Sequence, residues 1–521
     1  MSNTSDPTLP NFVRPDALKV WPDLDLMADL LAGTRRIWER AQEARYLRKW
    51  AKEKQEVFDI RRQCETVFEG LARVLSACVG MLFAKPPAVV WNQSELAMRE
   101  HWQNLDGMGT AGPVLAKRFS EQAIRDGLGL ILVDHPPAPA DVVVTDATAR
   151  ALALRPTWAL YSRKQIVSWR TATINGALVL TQLVLRETTA EDEGRYGTKE
   201  VTRYRVLRLV PGPDGSRVAT WELWRETKET GANGFLLDGR GVYLGMGREG
   251  RTRDTLPVGI AYTGRTDAPL SASLPLLGVA WANLSHWQIA TDLRFARMIA
   301  AYAQPVVIGE LAPVPGPNNT TMPGRIELGP LVGIHLVGTG ASFDWKAPPV
   351  EAFAALERGV EEKLNQMGAQ GAAFIVAQKR VAETAEAKRL DASAENSTLA
   401  TAGQGVDDAW NLALEIHAWY LGIEKAGAPV MTINKDFDSI ALEPQTMAVY
   451  VAAVKDAGLP PRILLEAWQQ GGRLPPDADL DALEAQMAAN AQAAADQAAL
   501  EASAQADALA KQNGRQLSAV A

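Results

Sequence analysis

Apolar positions recur at three- and four-residue spacing over residues 24–84, where Val67, Leu71, Val74, Leu75 and Cys78 lay one stripe. The pattern predicts helices that end at Gly80 and Pro86-Pro87. Between Arg35 and Arg62 the charges are dense and of both signs, which reads as a solvated helix face rather than a nucleic-acid face. Residues 113–134 read as a helix followed by an apolar strand, LGLILVD, stopped by His135-Pro136-Pro137. From Arg155 to Tyr262 the period falls to two, with Asn175-Gly176 and Asp214-Gly215 set between β-rich runs. A hairpin-rich antiparallel module follows from that pattern.

The period then returns to helix. Residues 275–303 contain no internal proline and place Ala280, Leu284, Trp287, Thr291, Phe295, Met298 and Tyr302 on one stripe, with Asn283, Gln288, Asp292 and Arg297 on other faces. Residues 304–349 are rich in proline and glycine around short β-like pieces. A second helix starts near Pro349 with the stripe Phe353, Leu356, Val360, Leu364 and Met367, and is expected to stop at Gly368, where Gly368 and Gly371 break the pattern. A third helical region over 376–421 has a weak point at Gly403 and Gly405, a late stripe of Val406, Trp410, Leu414, His417 and Leu421, and Gly422 as its C-cap. Two short helices follow, QTMAVYVAAVKDAG and PPRILLEAWQQG. From Asp481 alanine makes up about two in five residues, a stretch of high helix propensity with few large apolar groups. The long stripes are hard to satisfy inside one chain, so identical neighbours are expected to bury them.

Composition narrows the function. With 521 residues, 47% hydrophobic, 22% charged and 15 tryptophans, the chain exceeds one ordinary core and excludes global disorder. Lys plus Arg number 54 against 61 Asp plus Glu, a formal −7, so DNA contact is confined to a local patch or is weak. Cys64 and Cys78 are too few for a disulfide framework or a thiolate metal site, and fit a reducing cytoplasm. The first residues lack a secretory pattern and read as a mobile arm, and no run is long enough to span a membrane.

Candidate chemistry is sparse. Gly107-Met108-Gly109-Thr110-Ala111-Gly112 fits a dinucleotide fingerprint, but the preceding SELAMREHWQNLD reads as helix where a strand is required. A glycine loop between two helices is the better reading. No Gly-Lys-Ser/Thr loop is present, and the five histidines lack metal-ligand spacing. Asp134-His135 has no serine elbow or paired acid beside it and reads as a strand-end turn, while Asp407-Asp408 reads as helix-terminal carboxylates. Lys379-Arg380 and Lys388-Arg389 lie beside Glu383, Glu386 and Asp391 and read either as an ion-paired helix surface or, in a closed assembly, as a positive ring. No catalytic residue, metal or cofactor is assigned.

The order of elements, carried by the segments ARYLRKWAKEKQEVFDIRR, VGMLFAKPP, EQAIRDGLGLILVDHP, ANLSHWQIATDLRFARMIAAYAQPVVIG, AETAEAKRLDASAENSTLATAG and INKDFD, resembles the portal proteins of tailed bacteriophages over roughly residues 45–440. The resemblance implies an α+β portal fold assembled as a ring, dodecameric as portals typically are. Residues 1–23 would be a flexible arm, 24–265 the wing, 266–303 and 349–367 the stem helices, and 304–348 the clip. Residues 368–378 would be the tunnel loop, 379–439 the long wing helix and return strand, 440–480 the crown, and 481–521 a helical or disordered tail. It further implies that Gln370, Phe374, Lys379 and Arg380 line a DNA channel, with Arg294 and Arg297 on the stem. The implied partners are double-stranded DNA without sequence specificity, the terminase large subunit, a head-tail adaptor protein, and a major capsid or scaffolding protein. No membrane is implied, and the location is the virion's portal vertex after assembly in the host cytoplasm. The competing reading is a tail or baseplate ring, and behind it a nucleotide-dependent enzyme using the Gly107 loop.

Overall fold

The computed structural model describes residues 6–136, 154–301, 304–346, 351–375, 385–435, 460–470 and 479–500, apart from short gaps inside these ranges. Helices and antiparallel sheets are combined in an α+β chain. The chain divides into two units, residues 1–82 with 89–431, and residues 83–88 with 432–521.

The larger unit begins with α1 (Pro15–Leu31), α2 (Thr34–Gln42), α3 (Gln55–Arg62) and α4 (Gly70–Leu82). Of the residues expected to form a mobile arm, 11–23 are packed instead, and 1–5 lie outside the described residues. Val13 and Asn11 are buried, the Arg14 amide donates to Val167 O at 2.9 Å, and Pro15 opens α1 at a position where its missing N–H costs nothing. Leu9, Val13, Ala17 and Trp21 cover Val184, Tyr204 and Val206 of the sheet below, a use of scattered apolar groups that no period announces.

The charge-dense stretch also departs in part from expectation. Arg61 and Arg62 are buried, and Arg61 pairs with Glu53 at 2.8 Å, both side chains 1% exposed, while its guanidinium lies 4.1 Å from the Trp50 ring centroid. Most of the stretch is the solvated face its mixed charge predicts, with Arg35, Glu39, Glu43, Arg45, Arg48, Lys52, Lys54 and Glu56 exposed, but Arg61 and Arg62 turn inward, each with a carboxylate within hydrogen-bonding distance.

After α5 (Glu95–Trp102) and α6 (Gly112–Asp126), Gly127 adopts a left-handed conformation and turns the chain into β1 (Leu128–Asp134). A Cβ on Gly127 would come within 2.1 Å of Ser273 O, so no other residue fits. β1 is flanked antiparallel by β2 (Thr157–Ser162) and, later in the chain, a strand over Val258–Tyr262. Residues 128–133 are all buried, which is why they read as a continuous apolar run. Residues 166–242 form a five-stranded meander of β3 (Ile166–Ile174), β4 (Ala177–Glu193), β5 (Gly197–Pro211), β6 (Arg217–Glu226) and β7 (Phe235–Val242). Asn175 and Gly176, with φ of 51° and 78°, make the tight turn that their sequence predicts. The strand over Val258–Tyr262 is β8.

The long helices are α7 (Leu277–Ala301), α8 (Glu351–Ile375) and α9 (Ala385–Tyr420), of 25, 25 and 36 residues. Between α7 and α8, β9 (Gln304–Leu311) and β10 (Leu336–Lys346) form an antiparallel ribbon. α8 does not stop at Gly368. It continues to Ile375, and Gly371 is needed there because a Cβ would meet Val74 Cγ2 at 2.7 Å. Close packing thus offsets the roughly 1 kcal/mol that glycine costs in a helix. α9 likewise passes through Gly405, whose Cβ would lie 2.3 Å from Tyr262 O, and Gly259 makes the reciprocal approach to Ala409 O. At its end the Gly422 amide donates to Trp419 O and the Ile423 amide to Ala418 O, the Schellman closure expected of Gly422.

The smaller unit contains α10 (Pro461–Gln470), in which Leu464 and Leu465 are buried and Arg462 pairs with Glu466 and Asp481. The helix expected over 445–458 and the chain beyond residue 500 lie outside the described residues.

Candidate functional site

The stem residues lie on α7. Contrary to the expectation that neighbouring copies must bury its stripe, Ala280, Leu284, Trp287, Thr291 and Phe295 are buried within the chain itself. The polar residues expected on other faces hold the helix in place. Asn283 accepts from the Leu71 amide at 2.9 Å and donates to Phe68 O at 2.8 Å, and Gln288 donates to Tyr46 O at 2.7 Å. Asp292 accepts from Arg61 at 2.9 Å, and the Trp287 indole donates to Glu65 O at 3.0 Å. The segment from Tyr46 to Leu71 therefore clamps α7 through directional bonds to buried carbonyls and amides, which would otherwise be unpaired.

Beyond Asp292 the last turns of α7 leave this clamp. Met298 is 37% exposed, Arg294 and Arg297 are exposed, and Arg297 forms an ion pair with Glu357 of α8. Arg294 is close enough to lower the Cys64 thiol pKa, although burial is the larger effect and raises it. Tyr302, the last residue of the expected stripe, lies outside the described residues.

Of the residues expected to line the channel, Gln370 alone has a described side chain. Gln370 sits within α8 rather than in a loop, half-buried against Gly278, where an added Cβ would be 3.1 Å from Gln370 Oε1. That oxygen is buried without a hydrogen-bond partner among the described residues. Helix packing, not solvent, surrounds it. Phe374 falls in the last turn of α8, and its side chain, like Lys379 and Arg380 entirely, lies outside the described residues.

The ribbon of β9 and β10 carries Ile308, Val337 and Trp345 at 60%, 50% and 52% exposure. Neither strand has a second partner among the described residues, so both edges are open. Phe343 and Trp345 meet edge to face at 5.4 Å. Two-stranded ribbons are marginal in water without a packed face, and open edges are templates for further pairing.

In the Gly107 loop the amides of Met108, Gly109 and Thr110, which a phosphate would need, are already taken by side chains of the loop itself. Asp106 Oδ1 accepts from the amides of Met108 and Thr110, and Asn104 Oδ1 from Gly109, at 2.9, 3.1 and 2.7 Å. The loop links two helices, and Gly112 is required by Trp102, which a Cβ would approach to 2.3 Å. Asp134 and His135 also part company. Asp134 pairs with Arg205 at 2.9 Å, whereas His135 stacks on Tyr420 and contacts Pro136 O through Nδ1. Among the described residues no group of three His, Cys, Asp or Glu could hold a metal ion, and no helix is long and apolar enough to cross a membrane.

Sequence reading missed one buried polar chain. His417 is fully buried, accepts the Trp158 indole N–H at Nδ1 and lies 3.0 Å from His101 Nδ1 through Nε2. These residues are 259 and 316 positions apart, so no spacing rule could join them.

The family described as "Domain of unknown function (DUF4055)" matches residues 275–421, from α7 to the end of α9. None of the curated proteins compared with the chain matches it. Among solved structures, a chain of the virion of a native gene transfer agent particle is similar at 12% identity and TM-score 0.35, covering 82% of this chain and 98% of that one. A chain from the neck of an empty gene transfer agent particle is similar at 12% identity and TM-score 0.37, covering 79% of this chain and 92% of that one.

Proposed function

We propose that the chain is the subunit of a portal: a non-enzymatic ring at the capsid vertex that docks the packaging motor and head-completion proteins and passes double-stranded DNA. The observation that carries this reading is the antiparallel helix pair α7 and α8 joined by a β ribbon without cover from its own chain among the described residues. Such a ribbon gains stability when copies side by side close its edges, and a closed ring of copies does so without a free end. In this reading residues 24–265 are the wing, 266–303 and 349–367 the stem, 304–348 the clip, 379–439 the long wing helix with its return strand, and 440–480 the crown. The tunnel segment of this reading is 368–378, the first part of which is the helical end of α8 up to Ile375.

Phe374, Lys379 and Arg380 then face the DNA, and Arg294 and Arg297 lie on the stem surface. The partners are a terminase large subunit, a head-tail adaptor and a capsid or scaffolding protein. A net charge of −7 suits a conduit, since few cations are available to retain phosphates. Native mass measurement with end-on imaging tests the proposal. Twelve copies of a 56.4 kDa chain give a particle of roughly 680 kDa with an axial hole wide enough for duplex DNA. A strict monomer or dimer at high concentration overturns it, and a ring without such a hole transfers the chain to the tail or baseplate class.

A further inference from the structure

Strands β4 and β5 outrun the rest of their sheet. β3 pairs with β4 no further than Leu185, and β6 joins β5 only from Arg203 onward. Among the described residues Thr188 to Glu193 therefore pair only with Gly197 to Thr202, a hairpin extension about 20 Å long whose base is packed at Val201, 8% exposed, and whose tip beyond it is exposed. An arm of this kind is marginal by itself. Its tip carries Asp192 and Glu193, exposed and without a side-chain partner among the described residues, and Tyr196, which is 90% exposed. Arg195 stacks on the Tyr196 ring at 5.3 Å, and Glu191 is already held by Arg203 at 2.6 Å.

The same sheet carries a groove of about 780 Å³ beneath the start of the chain. Arg170, Gln182 and Arg208 form one cross-strand row in its lining, with Trp224 and Phe12 among its aromatic walls. Arg170 and Arg208 are exposed. Arg170 has no side-chain partner among the described residues, and Arg208 has Glu222 only at 3.9 Å. Arg14, by contrast, is engaged with Trp169 O and Asp16.

We propose that this groove receives the hairpin tip of a neighbouring copy, with Asp192 and Glu193 facing Arg170 and Arg208 and Tyr196 against the aromatic wall. Two complementarities support that occupant, carboxylate to guanidinium and an almost fully exposed aromatic to an aromatic lining. The arm cannot serve its own groove, because Gln182 and Glu193 lie on one continuous strand, some 36 Å apart at the strand rise. The contact is head-to-tail, the kind that closes a ring, so the inference rests on the ring reading above. Its charge pairing fixes register between copies that are acidic overall.

The test compares four full-length proteins by native mass spectrometry across a concentration and salt series. They are the unaltered chain, Asp192→Arg with Glu193→Arg, Arg170→Glu with Arg208→Glu, and all four changes together. Circular dichroism melting confirms that each folds, as expected for exposed positions. The expected result is assembly weakened at least tenfold in each double variant, more so at low salt, and restored in the fourfold one. Rings of equal stability in all four proteins overturn the contact while leaving the ring reading intact. Loss on the arginine side alone assigns the groove to another acidic segment and overturns the arm. Failure of the fourfold variant to recover also overturns it, and a monomeric unaltered chain removes the ring reading beneath it.

Discussion

The indole N–H of Trp158 donates to His417 Nδ1 at 3.0 Å, and this bond fixes the tautomer of a fully buried imidazole. His417 must then carry its proton on Nε2, which donates to His101 Nδ1 at 3.0 Å. One proton occupies each link, so an added proton sets two donors against each other. The chain ties β2 to α5 and α9, and Trp158 also meets Trp410 at 4.7 Å between ring centroids.

Acid should therefore loosen this centre. Burial holds the His417 pKa well below its usual value, with the charges of His101, Arg155 and His135 acting in the same direction, and burial also lowers His101. Both groups are neutral in the fold and bind protons more readily when unfolded. Their stabilisation is complete above about pH 6.5 and is lost as pH falls below it toward the folded values, at up to about 1.4 kcal/mol per pH unit for each imidazole. Urea midpoints between pH 8 and pH 5 should show this decline, and His417→Gln should flatten it. An unchanged slope in that variant would remove His417 as the cause.

Arg61 offers a contrast of burial. Arg61→Ala leaves Glu53 without its guanidinium in a site where both side chains are 1% exposed, and should cost about 3–5 kcal/mol. Asp292→Asn touches the same guanidinium from a side chain 39% exposed and should cost under about 1 kcal/mol. Chemical denaturation of both variants checks the ranking.

Two helical glycines should respond with opposite signs. At Gly405 a Cβ meets Tyr262 O at 2.3 Å, so Gly405→Ala should destabilise by about 1–3 kcal/mol as α9 is forced away from β8. At Gly368 nothing lies within 4 Å, so Gly368→Ala should stabilise α8 by about 0.5–1 kcal/mol. Melting temperatures of the pair would decide it.

Lys379→Ala with Arg380→Ala should leave ring mass unaltered and reduce the amount of DNA retained or packaged, measured as genome content per particle. Full genome yield in the double variant would take both residues off the channel.

The local rules were legible wherever one segment sufficed. The long run without proline became α7, the apolar run became β1, Asn175-Gly176 made its turn, and Gly422 capped α9. They failed at Gly368 and Gly371, which both lie inside a helix: at Gly371 Val74 packs where a side chain would stand, while Gly368 has open space around it and is simply carried by the helix. Charge patterning failed at Arg61 for a similar reason: partners that bury an ion pair come from residues 8 and 231 positions away.

Periodicity, turn chemistry and capping thus determined which residues form helices and strands, since these depend on neighbours within a few positions. Only the tertiary structure decided what each face meets. The α7 stripe from Ala280 to Phe295 is buried inside its own chain, with Trp287 bonded to Glu65 O and Phe295 against Trp50, while the ribbon between α7 and α8 and the tip of the β4–β5 arm are left uncovered among the described residues. Burial is a property of contacts between distant segments, and a one-dimensional pattern shows that a face is apolar without showing which surface will cover it.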